Sequence, residues 1–435
     1  MPPPGSKLPG EDRISRGMAG RLLVLSNGHG EDLIALRVLQ ALHRLQPALE
    51  IAVLPLVGEG AAFAAAERSG VLRRIGPRQP LPSGGFSNQS LRGLLADLGA
   101  GVLGLSLRQW LLVRRWGRRG DPVLAVGDLL PLLLAWASGA RFGFVGTPKS
   151  DYTWASGPGS AGLLAGVYHR CKGSEWDPWE WALMRARRCR VVALRDGLTA
   201  RGLRRRGVAA FAPGNPMMDG LQAEPLPPEA QGRRRLLLLG GSRMPEALAN
   251  LQRLLQALAL VPAEEPLLLL APTGSRPSAQ EWQPLLRQLG YAPVAPPPGV
   301  AAAWSRGRVL LWIGPGRFAA WAATAEVGLA AAGTATEQLV GLGIPALSLP
   351  GPGPQFKRGF AERQSRLLGG AVAVCGSPAA LAERLTLLLR QPGLRAQLGA
   401  IGRRRMGPAG GSAALAALVQ RRLLGAAAAP GRMMG

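Results

Sequence analysis

The segment SNGHGED (26–32) holds one imidazole and two carboxylates within four residues: His29, Glu31 and Asp32. An imidazole titrates at about 6.5, so His29 can take a proton from a hydroxyl near neutral pH, while Glu31 or Asp32 can orient its ring or act as base directly. Gly28 and Gly30 share the loop and are candidate substrate contacts. The loop lies between the apolar run RLLVLS and the periodic run LIALRVLQAL, which predicts a glycine turn joining a buried strand to a helix. Nucleotide-binding folds seat a phosphate there, yet here two acids occupy the positive end of the helix dipole.

A second turn has the opposite chemistry. In RRLLLLGGSRMPEALANLQRLLQAL (234–258), Gly240 and Gly241 allow close backbone approach. Ser242 can cap the following helix or donate to an oxyanion, and Arg243 adds a fixed positive fork. This turn suits a diphosphate. Downstream, EVGLAAAGTATEQLVGLGIPALSLPGPGPQF (326–356) ends a strand at Gly333 and Thr334 and opens a helix with Glu337 and Gln338 on its first turn. A carboxylate there can accept two hydrogen bonds from a ribose diol, and the turn offers amides to phosphate. Gln355 lies in the glycine- and proline-rich loop that closes this segment.

Two further groups stand just past strand candidates, where ligands of open α/β sheets collect. Asp128 ends VLAVGD, and GTPKSDYTW (146–154) presents Lys149, Ser150, Asp151 and Tyr152, all candidates for the acceptor side.

The elements that must position these groups follow from patterning. Short apolar runs alternate with helical stretches along the chain, the signature of βαβ units and parallel sheets. The predicted strands are 21–26, 51–57, 123–128, 141–146 and 190–196, then 267–271, 309–313, 326–331, 345–351 and 371–375, with the run before GGSR as another. The plan of 21–42, basic residue, apolar strand, glycine turn and a helix ending LQAL, recurs at 234–258. Two Rossmann-like domains in tandem are expected. The predicted organisation is a tail (1–20), an N-terminal domain (21–212), a Pro/Gly-rich linker (213–232), a C-terminal domain (233–395), a C-terminal helix (396–424) and a second tail (425–435). The loop 76–90 is long enough to be functional.

Composition bounds the partners. At 435 residues, 47% hydrophobic and 18% charged, the chain can bury large cores. The formal charge of +26 asks for an acidic partner, but only four of the 52 basic residues are lysine. Arginine in this excess, beside abundant Ala, Gly, Pro and Leu, matches a GC-rich coding bias. Aromatic residues make up 5% and no nucleic-acid-binding motif occurs, so no nucleic-acid partner is expected. Three cysteines without CxxC spacing and three histidines predict no disulfide framework and no metal centre, and a reducing, cytoplasmic setting. The N-terminal stretch has no signal-peptide core. The apolar region 122–145 is interrupted by Asp128, Pro131 and Arg141, which argues against a membrane span. The stretch VLGLSLRQWLLVRRWGRRG (102–120) mixes Leu, Val and Trp with five arginines, as an interfacial helix or a packed helix with a solvated arginine face would.

The GGSR turn followed by GTATEQ, GLGIP and PGPGPQ resembles the donor-binding half of GT-B glycosyltransferases. With SNGHGEDLIA, PGNPMMDGL and AAAGTATEQ, the chain resembles the lipid A disaccharide synthase family, most of all its synthase-related branch, over most of residues 21–400. The resemblance implies two facing Rossmann-like domains with an interdomain cleft, a nucleotide-sugar held by the C-terminal one and an acceptor by the N-terminal one. It implies Gly240, Ser242 and Arg243 near the donor diphosphate, Gly333, Thr334 and Glu337 near phosphate and ribose, and Asp32 as important for activity. The loop departs from the synthase pattern in having Gly30 and Glu31 before that aspartate. Its glycines and histidine are similar to those of the peptidoglycan transferase that adds N-acetylglucosamine to a lipid-linked acceptor.

The expected function is transfer of a sugar, of N-acetylglucosamine type, from a UDP-sugar to a lipid or amphiphilic acceptor at a membrane surface. No cofactor or metal is expected, with base catalysis from the His29/Asp32 side and Arg243 plus helix N-termini stabilising the leaving UDP. The alternatives are a UDP-sugar 2-epimerase or hydrolase of the same fold, and a non-catalytic membrane-binding protein. An NAD-dependent oxidoreductase is disfavoured because Gly28-His29-Gly30 lacks the third glycine of the dinucleotide fingerprint.

Overall fold

The computed structural model describes residues 20–77, 102–155, 163–262, 265–351 and 356–425. The loop residues 78–90 and Gln355 lie outside them. Two compact units interleave along the chain: Met1–Pro148, Ala182–Ala193 and Ala413–Gly435 form one, Lys149–Trp181 and Leu194–Ser412 the other.

The first unit is built on β1 (Arg21–Ser26), β2 (Glu50–Pro55), β3 (Arg73–Arg74), β4 (Val123–Gly127), β5 (Phe142–Gly146) and β6 (Cys189–Leu194). They run in the order β3-β2-β1-β4-β5-β6. The pairs β1–β2, β2–β3, β1–β4 and β4–β5 are all parallel. Helices cover both faces of such a sheet, so its strands read as unbroken apolar runs; Leu22, Leu23, Val24 and Leu25 have no exposed surface. Helix His29–Leu45 follows β1 and buries Ile34, Ala35, Val38, Leu39 and Leu42, one face of a 3.6-residue period. From β1 the chain winds through β2 and β3 to one side, and from β4 through β5 and β6 to the other. The strand order therefore reverses between β1 and β4. The apolar region 122–145 resolves into β4, helix Leu129–Ala137 and β5. Among the described residues no helix is long and apolar enough to cross a membrane.

The second unit contains a two-residue strand β7 (Ala210–Phe211) and a sheet of β8 (Arg234–Leu239), β9 (Leu267–Thr273), β10 (Ala292–Val294), β11 (Ala302–Arg306), β12 (Val309–Pro315), β13 (Val327–Ala330), β14 (Ala346–Ser348) and β15 (Val372–Val374). Its order is β10-β11-β12-β9-β8-β13-β14-β15. Leu236, Leu238, Leu269, Ile313, Trp282 and Trp304 fill its core. The strand order reverses between β8 and β13.

The expected parallel sheet of the second unit carries an antiparallel addition at one edge, β10, β11 and β12. A tight turn at Gly307, φ 56°, doubles the chain back before a crossover helix can form. Pro293 is tolerated because β10 is the outermost strand. The proline-rich stretch 213–232 is packed within the second unit. Asn215 there is buried and its Nδ2 donates to the Met406 carbonyl at 3.2 Å.

Candidate active site

Both strand-order reversals fall on the glycine turns singled out by sequence. At the first, Gly28 takes φ 111° and precedes helix His29–Leu45, which has no side-chain cap. The Asp32 amide donates to the Gly28 carbonyl at 2.8 Å. The buried Asp32 carboxylate accepts a 2.6 Å bond from Ser26 Oγ at the end of β1. From the neighbouring strand comes Asp128, which accepts from Asn27 Nδ2 at 2.8 Å and from the Leu130 amide at 3.2 Å, capping helix Leu129–Ala137. From β5 comes Thr147, whose Oγ1 donates to Glu31 Oε1 at 3.3 Å. Gly127, φ 137°, lets these groups close up: a Cβ there would lie 3.0 Å from Asn27 Cβ and 3.5 Å from Glu31 Cγ. Glu31, Asp32 and Asp128 thus gather at the carboxyl ends of β1 and β4. The backbone of His29 and Gly30 opens the helix; the His29 side chain, the other base candidate, lies outside the described part of the structure.

The electrostatics single out Glu31. Its carboxyl is pushed up to about 7, first by burial and then by the Asp128 and Asp32 charges, against hydrogen bonds from its own amide and Thr147. A carboxylate that is half protonated at neutral pH has the proton affinity that general base catalysis requires.

At the second reversal, the Ala331 amide donates to the Leu239 carbonyl at 2.7 Å, tying the ends of β13 and β8 together. Gly240 must be glycine: a Cβ would sit 2.3 Å from Leu251 Cγ and 3.0 Å from the Ala247 carbonyl. Gly241 takes φ 93°. Of the two roles open to Ser242, capping the next helix or donating to an oxyanion, the first is not taken up. That helix, Glu246–Leu258, starts later, with Pro245 at its N-cap position and no side-chain cap, which leaves Ser242 exposed at the turn. Arg243 is half-buried; desolvation lowers its affinity for its proton and Glu246 partly restores it.

Gly333 precedes helix Thr334–Gly341, with Thr334 exposed and no side-chain cap. Gln364 Nε2 grips this turn by the Gly333 and Ala332 carbonyls, at 2.9 and 3.4 Å, and Thr336 Oγ1 donates to the Ala332 carbonyl at 2.7 Å. Glu337 accepts from Arg195 Nη2 at 2.7 Å on Oε2, and both side chains are largely buried. Gln338, expected at the donor, is buried on the inward face of its helix, where Nε2 donates to the Met217 carbonyl at 2.6 Å.

Lys149, Ser150, Asp151 and Tyr152 belong to the second unit, and Glu31 and Asp128 to the first. Lys149 pairs with Glu180 at 2.6 Å and Asp177 at 3.3 Å. Ser150 Oγ donates to Asp196 at 2.8 Å. Asp151 accepts from Ser174 Oγ and the Glu175 amide, at 3.1 and 2.7 Å. Burial, with Asp196 and Glu175 adding to it, raises the Asp151 carboxyl to about 6. The Tyr152 ring lies 4.2 Å under the Arg405 guanidinium. These side chains are occupied in a polar network. Among the described residues no group of three or more His, Cys, Asp or Glu is placed to hold a metal ion.

No protein-family model matches the chain, and no curated protein sequence matches it. Solved structures do. The UDP-GlcNAc 2-epimerase from Neisseria meningitidis bound to UDP-GlcNAc superposes with a TM-score of 0.54 at 14% identity, covering 92% of this chain and 100% of that one. CalG4, the calicheamicin glycosyltransferase, gives 0.55 at 16%, covering 93% and 99%. MurG from Acinetobacter baumannii gives 0.52 at 15%, covering 92% and 99%. The fold is GT-B. Its two Rossmann-like domains carry the two reversals described above.

Sequence reading passed over Asn27, Thr147, Arg195 and Gln364. Asn27 and Thr147 stood inside quoted motifs, but only the pairing of β1, β4 and β5 makes them neighbours of Asp128 and Glu31. Arg195 is 142 residues from Glu337, and no local pattern links the two.

Proposed function

We propose that the protein is a glycosyltransferase that moves a sugar from a UDP-sugar to a hydroxyl of a lipid or amphiphilic acceptor at a membrane surface. The observation that carries this reading is the division of chemistry between the two reversals: carboxylates at β1 and β4, glycine turns with Arg243 at β8 and β13. In the second unit, Gly240, Gly241, Ser242 and Arg243 and the amides after Gly333 would hold the diphosphate, as helix N-termini hold anions. In the first unit, Glu31 would take the acceptor proton, with Asp32 fixed by Ser26 and Asp128 by Asn27. The acceptor oxygen then bonds to the anomeric carbon, the bond from that carbon to the diphosphate breaks, and UDP leaves with the electron pair. Arg243 and the helix N-termini stabilise the charge that develops, without a metal or other cofactor. The structural likeness to a protein bound to UDP-GlcNAc supports a donor of N-acetylglucosamine type. The resemblance of the motifs to the lipid A disaccharide synthase family supports a glycolipid acceptor on the cytoplasmic side.

The likeness to a 2-epimerase favours a second reading, in which the same sites release or epimerise the sugar with no acceptor. Purified protein incubated with UDP-GlcNAc, alone and with a panel of lipid-linked acceptors, separates the two. UDP release that requires an acceptor supports transfer; turnover of the nucleotide-sugar alone supports the second reading. Absence of uridine-nucleotide binding at millimolar concentration overturns the donor assignment.

A further inference from the structure

Helix Arg358–Leu367 of the second unit sends two consecutive side chains in different directions. Arg363, half-exposed, pairs with the Glu175 carboxylate. Gln364 is 3% exposed and reaches the turn before helix Thr334–Gly341, where its Nε2 donates to two successive carbonyls, Gly333 at 2.9 Å and Ala332 at 3.4 Å. A peptide unit is flat, and in its trans form the C=O and the N–H that follows it point opposite ways. The peptides 332–333 and 333–334 are both trans. With their carbonyls turned toward one nitrogen, the amides of Gly333 and Thr334 are turned away from it, on the far side of the turn. Both stand at the helix start, where no carbonyl four residues back is there to bond them.

The carbonyls are neutralised as well as aimed. Gly333 also accepts from the Thr336 and Glu337 amides, at 3.1 and 3.2 Å, and Ala332 from Thr336 Oγ1 at 2.7 Å. A turn whose oxygens are engaged on one side presents positive partial charge on the other, the condition for holding an anion. Packing alone does not call for a glutamine here. Its Oε1 is buried without a hydrogen-bond partner among the described residues, and a methionine would fill the volume without that cost. Phe360, one helical turn earlier on the same face, comes within 3.7 Å of the place a Gly333 Cβ would take, so this face of the helix is fitted to the turn. The other glycine turn abuts the same residues: a Cβ on Gly241 would lie 3.4 Å from the Ala331 carbonyl.

We propose that Gln364 is a positioning residue for the donor, which presets the Gly333 and Thr334 amides as a two-pronged seat for one phosphate of the diphosphate. It touches no reacting atom and acts through the turn. Because the carbonyls are held before the ligand arrives, the amides need no reorganisation to receive charge on the leaving diphosphate. The inference deepens the donor reading and rests on it for the identity of the ligand; the seat itself rests on the turn.

The test is calorimetric titration of the full chain with UDP-GlcNAc, uridine and inorganic pyrophosphate. Gln364→Met keeps the volume and removes the donor group; it should weaken UDP-GlcNAc and pyrophosphate by about tenfold and leave uridine unchanged. Thr336→Val, which removes the second side-chain donor to the Ala332 carbonyl, should weaken the same two ligands by about threefold. Arg363→Gln frees the same helix from Glu175 without reaching the turn and should leave all three affinities at the wild-type level. Gln364→Met that binds the phosphate ligands like the wild type overturns the proposal. A loss for uridine as large as that for UDP-GlcNAc, or an Arg363→Gln variant as impaired as Gln364→Met, also overturns it and makes Gln364 a support of the fold alone. If Gln364→Met does not fold, Thr336→Val decides by the same criterion, selective loss upholding the seat and uniform or absent loss overturning it. A wild-type chain that binds neither phosphate ligand overturns it as well. Pyrophosphate binding that Gln364→Met loses, in a chain that does not bind UDP-GlcNAc, upholds the seat and removes the donor reading.

Discussion

Replacing Glu31 by glutamine removes a charge and keeps a shape, and its effect can be worked out before it is measured. The carboxyl rises from 4.5 to about 7 in the folded chain because burial and the Asp128 and Asp32 charges oppose its ionisation. The folded-state value lies above the unfolded one, so between roughly pH 4.5 and 7 the folded chain keeps a proton that the unfolded chain has lost. Stability tied to this group is complete below the unfolded value and is lost as pH rises through about 7. At 1.4 kcal/mol per unit the loss approaches about 3 kcal/mol, and partial access of water reduces it toward about 2. Glutamine never ionises and still offers Oε1 to Thr147. At pH 5 the two proteins should therefore unfold alike, and at pH 8.5 Glu31→Gln should be the more stable by about 2 to 3 kcal/mol, a rise of roughly 5 to 10 °C in the melting of the first unit. The same variant should lose about 10²- to 10⁴-fold in transfer rate, and wild-type kcat/KM should climb with a midpoint near pH 7, the Glu31 value, and level roughly one pH unit above it. Urea or thermal unfolding from pH 5 to 9, with an acceptor-dependent UDP-release assay, provides both measurements. A stability difference that does not change with pH, or a variant that turns over normally, refutes the assignment of Glu31.

Arg243→Ala should weaken UDP binding by about 10- to 100-fold, with a smaller loss at high salt, since a hydrogen bond to a charged group is worth about 1.5–3 kcal/mol; calorimetric titration showing unchanged affinity would remove Arg243 from the donor site. Arg195→Ala leaves the Glu337 carboxylate without its 2.7 Å partner and should cost about 3 kcal/mol in urea unfolding. Adding Glu337→Gln should recover most of that loss, and no recovery would mean the two are not coupled. Gly240→Ala forces a methyl against Leu251, 2.3 Å away, and should lower the melting temperature by the equivalent of about 1–3 kcal/mol. Leu251→Ala in the same chain should relieve part of this strain, and a neutral Gly240→Ala would show that the turn has room.

Periodicity carried much of the fold. Apolar runs such as RLLVLS and LLLLA became central strands because a parallel sheet covered on both sides needs uninterrupted apolar residues, and that need is visible locally. The antiparallel edge β10–β12 was not visible. Ala292–Val294 is three exposed residues with a proline, and it is a strand only by pairing with β11, whose own return into β12 is turned at Gly307. The helix after GGSR ends in LQAL as its pattern indicates, but it starts at Glu246 with Pro245 at its N-cap position, a start that the sequence pattern did not mark.

The types of residue in the candidate site were legible in the sequence, and their working states were not. SNGHGED by itself established that acids stand where a phosphate loop would be open, and GGSR established a basic turn of the same plan. Which acid has a near-neutral pKa depended first on burial of Glu31 and then on the charge of Asp128, 97 positions beyond it, against the opposing hydrogen bond from Thr147. Whether Glu337 and Gln338 are free depended on Arg195 and Met217. Desolvation and charge repulsion act over a few ångströms in space, whereas spacing along the chain records only local geometry; the strand order that brings β1 beside β4 and β8 beside β13 turns one into the other.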